Sequence, residues 1–81
     1  MALCVRIDKV ESIQSTIQDE FSRLGFTVTY TNRRASIVFN LLDEVGDIIG
    51  RAKVCKTAIR FDNTHTLALI AIENLKEESV Y

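Results

Sequence analysis

Apolar residues recur along this chain with two different periods, and the switches between them mark the elements. Leu3, Val5 and Ile7 take every second position in a short β-favouring segment, Ala2 to Ile7, which predicts an opening strand. Asp8 followed by Glu11 is an acidic form of the capping box, in which each side chain reaches the other's backbone N–H, so a helix is predicted to start there. Val10, Ile13, Ile17, Phe21 and Leu24 then recur at steps of three, four, four and three, an apolar stripe with Gln14, Gln18, Asp19 and Arg23 off it. Gly25 supplies the left-handed residue that closes such a helix, and Phe26 covers its last turn.

From Phe26 to Thr31 the period becomes two, with Phe26, Val28 and Tyr30 on one face and Thr27, Thr29 and Thr31 on the other. Asn32, Arg33 and Arg34 form a polar break, and Ala35 to Leu42 resumes as a strand with Ala35, Ile37, Phe39 and Leu41 aligned. Asp43 to Asp47 is a second turn, in which Gly46 can take a positive φ. Ile48 to Cys55 reads as the third strand of the meander, its Arg51 and Lys53 opposite in direction to Gly50, Ala52 and Val54. Thr57 to Phe61 is read as a continuation of that strand or a short separate one.

Leu67 to Ile72 is a continuous apolar run, which periodicity alone does not assign to helix or strand. The caps offered by Asp62, Asn63 and Thr64 and the helix formers from Glu73 to Glu78 favour a helix of about fourteen residues, with a hairpin as the alternative. The predicted fold class is therefore α+β, a two-layer sandwich of order β-α-β-β-β-α with both helices on one face of an antiparallel sheet. Residues 1–81 make one domain without a linker, and residues 77–81 read as a tail.

At 81 residues the chain buries roughly 60% of the surface its unfolded form exposes, so its stability margin is thin and self-association is one way to widen it. Hydrophobic residues are 47% and charged residues 26%, values that argue against disorder. No apolar run nears the roughly 20 residues needed to cross a bilayer, so no membrane role is expected. Cys4 and Cys55 are too few for a disulfide framework and no apolar leader is present, which predicts the cytoplasm and two buried thiols acting as small hydrophobes.

Catalytic chemistry finds little support. His65 is the only histidine, and the acidic pairs Asp19-Glu20, Asp43-Glu44 and Glu77-Glu78 read as solvated surface rather than as paired acid and base. Gly25, Gly46 and Gly50 open no phosphate-cradling loop. Asp43, Glu44 and Asp47 lack the spacing of a calcium loop, and two cysteines with one histidine make no four-ligand zinc site. No metal or cofactor is expected, and the chain is read as a non-enzyme.

Charge is uneven although the net value is −1. Arg33, Arg34, Arg51, Lys53, Lys56 and Arg60 give residues 33–60 a balance of +3, whereas the last 21 residues carry −3. The basic stretch makes these six the candidate phosphate contacts of an RNA- or DNA-binding module. The helix, meander, helix succession resembles that of double-stranded-RNA-binding domains. Those domains rely on a lysine-rich start to their second helix, and Asp62-Asn63-Thr64-His65-Thr66 contains no lysine or arginine, so membership does not follow. Single-strand readers stack bases on exposed aromatics, yet Phe26, Tyr30 and Phe39 fall on the predicted core face and leave Tyr81. Leu67, Leu69, Ile70 and Ile72 instead surround the last helix, more apolar surface than one core face needs. The leading expectation is a protein-binding module of the regulator, inhibitor or adaptor type that docks through these four residues, as a homodimer; the nucleic-acid module is the alternative.

Overall fold

The computed structural model describes residues 5–78. It is a small α+β domain: α1 (Ile7–Phe21), a 3-10 turn (Ser22–Leu24), β1 (Thr27–Asn32), β2 (Ser36–Leu42), β3 (Ile48–Cys55), α2 (Lys56–Phe61) and α3 (Thr64–Glu78). The three strands form an antiparallel sheet in the order β1-β2-β3.

The α1 stripe is real. Val10, Ile13, Ile17 and Phe21 are buried, while Leu24 falls in the 3-10 turn and is exposed. Gly25 takes φ +81° just beyond, and Gly46 takes φ +95° in the β2–β3 turn, both in the left-handed region. Along the strands, register aligns Val28 with Leu41, Tyr30 with Phe39, and Phe39 with Ala52. Val28, Ile37, Phe39, Leu41, Ala52 and Val54 join the core with the α1 stripe, Ile59 and the Leu67, Ala68, Ala71, Ile72, Leu75 face of α3. Ala35, expected in line with Ile37, is exposed in the turn before β2. α1 packs beside β1 and α3, and α3 packs beside β3.

Among the described residues the element order is α-β-β-β-α-α, which differs from β-α-β-β-β-α at two places. The predicted strand Ala2 to Ile7 begins in residues outside those described, but Val5 and Arg6 lie in no strand and Ile7 opens α1. Arg6 is the extended N-cap residue (φ −74°, ψ 127°), its carbonyl accepts from Lys9 and Val10, and its guanidinium pairs with Asp8 at 2.8 Å. Asp8 is thus drawn to Arg6 within the first turn, and no side-chain cap forms at the start of α1.

The second correction is α2. Lys56 to Phe61 turns helical because Lys56 and Ile59, three apart, bury one face, and Lys9 Nζ holds the end of the helix by donating to the carbonyls of Ile59 (3.2 Å) and Arg60 (3.1 Å). α3 then starts where the caps predict. Asn63 Oδ1 accepts from the N–H of His65 at 2.8 Å and of Thr66 at 3.4 Å. The run 67–72 is helix, and α3 continues through Glu77 and Glu78; residues 79–81 lie outside those described.

Candidate functional site

The side of the sheet away from the core is lined by alternate residues of each strand. β1 contributes Thr27, Thr29 and Thr31, β2 contributes Val38 and Asn40, and β3 contributes Arg51 and Lys53. Asn40 is tied down by its own neighbours, its Nδ2 donating to Thr31 Oγ1 at 3.2 Å and Thr29 Oγ1 at 3.4 Å. Arg51 lies opposite Asn40, and Lys53 opposite Val38. Neither cation has a charged cross-strand neighbour, and neither makes an ion pair among the described residues. Opposite charges set directly across the strands stabilise such a face, and among the described residues no acidic side chain stands opposite either cation.

The six basic candidates separate. Arg51 and Lys53 share the open sheet face, and Arg33 and Arg34 are exposed in the β1–β2 turn at the end of the sheet where Lys53 and Cys55 also lie. Lys56 is withdrawn from solvent at 4% exposure, so it presents no ammonium to a phosphate. Arg60 stands on α2 with its guanidinium 5.4 Å from the ring centroid of Phe61, a cation–π contact. Phe61, 75% exposed, is the aromatic that strand-based reading of 57–61 left unnoticed; Tyr81 lies outside the described residues. Phe39 is buried, Phe26 and Tyr30 pack partly against the core, and the Tyr30 and Phe39 rings lie 6.3 Å apart, so none serves as an open platform.

The four apolar candidates separate too. Leu67 and Ile72 belong to the core at 7% exposure each, whereas Leu69 and Ile70 are each 51% exposed. At 100° per residue Leu69 and Ile70 sit on the two flanks of the exposed side of α3, with Thr66 and Glu73 between them. Leu69 shares the flank of Lys76, seven residues on, whose Nζ donates to Glu20 Oε2 of α1 at 3.0 Å. Ile70 lies on the other flank, away from α1.

Cys55 is exposed rather than buried, and Cys4 lies outside the described residues. It precedes α2, and the backbone N–H of Thr57, followed by that of Ala58, holds its thiol below the ordinary value of 9.0. The Thr57 hydroxyl and the charge of Lys53 act in the same direction to a smaller extent. His65 is exposed in the first turn of α3. Asp43 organises its hairpin, Oδ1 accepting from the N–H of Val45 at 3.0 Å and of Asp47 at 2.9 Å. Among the described residues no group of three or more His, Cys, Asp or Glu is placed to hold a metal ion, and no helix is long and apolar enough to cross a membrane.

No protein-family model, no curated protein and no solved structure matches the chain.

Proposed function

We propose that this chain is a small non-enzymatic binding module, of the regulator, inhibitor or adaptor type, that docks on another protein. The observation that supports it is the half-exposure of Leu69 and Ile70 on a helix whose other large apolar residues are all core. Contact through α3 with a second copy, a homodimer, covers both. The exposed free thiol of Cys55 suits a reducing compartment, the cytoplasm. The test is recovery of the tagged protein from its native host after nuclease treatment, together with sedimentation of the pure chain. A retained protein partner, or a mass twice 9.2 kDa, that is lost in a folded Leu69→Asp/Ile70→Asp variant is the expected result. A monomer that retains no protein overturns the reading.

A second reading is favoured by a separate observation, Arg51 and Lys53 on the open sheet face with no ion pair among the described residues, and Arg33 and Arg34 exposed in the turn at the Lys53 end of that face. These four, with the Arg60–Phe61 pair, suit a phosphate backbone. Binding of RNA or DNA that falls steeply with salt, and whose salt slope flattens in an Arg33→Gln/Arg34→Gln variant, is its signature. Sub-micromolar affinity at physiological salt, abolished by that double change, would replace the protein-docking reading.

A further inference from the structure

The two edges of the sheet are treated differently. In an antiparallel ladder, residues alternate between those whose backbone groups face the neighbouring strand and those whose groups face away. The bond from Arg33 N–H to the Ser36 carbonyl, 2.9 Å, sets the phase. With the observed register it turns the backbone groups of Val28, Tyr30 and Asn32 outward on β1, and those of Arg51 and Lys53 outward on β3. The β1 edge is closed by α1 where the strand begins. Val28 N–H donates to Gln18 Oε1 at 2.9 Å, Gln18 Nε2 donates to the Phe26 carbonyl at 2.9 Å, and Gln14 Nε2 donates to the Val28 carbonyl at 2.8 Å. The outward groups of Arg51 and Lys53 have no such cover among the described residues.

The surroundings of this open edge are chemically two-sided. On the open face stand the Arg51 and Lys53 side chains with uncharged neighbours. On the other side α3 packs under β3, and its flank away from α1 presents Ile70, half-exposed.

We infer that the β3 edge accepts a fourth strand from a partner protein, an extended segment in which acidic residues alternate with apolar ones. The segment's backbone pairs with the N–H and C=O of Arg51 and Lys53. Its carboxylates fall on the face of those two cations, and its apolar side chains fall on the face of Ile70, because successive strand residues point to opposite sides. A second copy is a poor occupant. Two β3 strands paired antiparallel about Ala52 set Arg51 of one copy opposite Lys53 of the other, and like charges directly opposite repel. The inference rests on the protein-docking reading and gives it an address.

The probe is a capped nine-residue peptide alternating glutamate and valine, titrated into the isotopically labelled chain at low salt. The expected result is chemical-shift change and slowed amide exchange centred on Arg51 and Lys53. N-methylation of alternate peptide residues on the pairing edge, exchange of its glutamates for lysine, or an Arg51→Gln/Lys53→Gln change in the protein should each weaken binding about tenfold or more. N-methylation alters the peptide alone, so its result does not depend on the stability of a protein variant. Binding indifferent to N-methylation, absence of binding at millimolar peptide, or Arg51 and Lys53 amides that become protected on concentrating the chain without peptide would each overturn the inference. A partner held through Leu69 and Ile70 with these amides unprotected overturns the edge site alone and leaves the docking reading in place.

Discussion

The side-chain carbonyl of Gln18 on α1 accepts a 2.9 Å hydrogen bond from the backbone N–H of Val28 on β1, where the strand has no neighbouring strand on that side among the described residues. The other end of the same amide donates to the carbonyl of Phe26, so one glutamine satisfies two backbone groups of the sheet edge. A net contribution of about 0.5–1.5 kcal/mol per bond predicts that Gln18→Leu destabilises the fold by about 1–3 kcal/mol. Urea denaturation measures this, and a loss within roughly 0.5 kcal/mol, the ordinary range for surface changes, would mean that water replaces the amide without cost.

Ile17 and Phe21 lie mid-stripe and at the end of α1, at 0% and 1% exposure. Truncating either to alanine leaves a cavity that the surrounding side chains only partly fill, and the expected loss is about 2–5 kcal/mol each. Denaturation midpoints that stay in place for both variants would place the core elsewhere.

These elements were legible for a common reason: each is decided by neighbours close in sequence. The α1 stripe, the alternation of β1 to β3, Gly25 and Gly46 at positive φ and the Asn63 cap all need only a few adjacent residues to declare themselves. What was not legible depends on residues far apart. α2 is held by Lys9, about fifty residues away, and Lys56-Thr57-Ala58-Ile59 on its own reads equally well as the end of a strand. At the start of the described residues the alternation of Val5 and Ile7 gives way to the helix that follows it, whose first turn the Arg6 carbonyl closes with Lys9 and Val10.

The candidate sites divide on the same principle. That Arg51 and Lys53 would share one strand face followed from parity, and the structure adds that β2, the strand paired beside them, carries no acid. That Leu67 and Ile72 would be core while Leu69 and Ile70 stay half-exposed depends on how α3 is rotated against β3 and α1, which an apolar run with little periodicity does not encode. The exposure of Cys55, just ahead of α2, and of Phe61, its last residue, follows from a helix that the local pattern does not reveal.

Glu20 accepts from Lys76 at 3.0 Å and from Arg23 at 3.4 Å. The hydrogen bond and charge of Lys76, with a smaller part from Arg23, hold its carboxyl below the ordinary 4.5. A carboxyl whose folded pKa is depressed contributes stability above its unfolded value, and that contribution is lost as pH falls through the lower folded value. The α1–α3 link is thus expected to weaken in acid, below 4.5, and to be largely screened by salt because both groups are solvent-facing. Lys76→Met should move the Glu20 titration midpoint, read by carbon-detected NMR, back toward 4.5. Coincident titration curves for the two proteins would show that Lys76 does not engage Glu20 in solution.

Cys55 gives the remaining test, because its environment follows mainly from the start of α2. A thiol ahead of the Thr57 and Ala58 N–H groups ionises more readily than in the unfolded chain, and nearby Lys53 adds the smallest part of the effect. In a Cys4→Ser variant Cys55 is the single thiol left, so the rate of alkylation by iodoacetamide against pH reports it directly. The rate should rise with a midpoint below 9.0 when folded and return toward 9.0 in denaturant. Lys53→Gln should raise the folded midpoint only slightly, since the backbone amides remain. Equal midpoints for folded and unfolded protein would mean that those amides do not face the sulfur, and that Lys56 to Phe61 is not helical at its start.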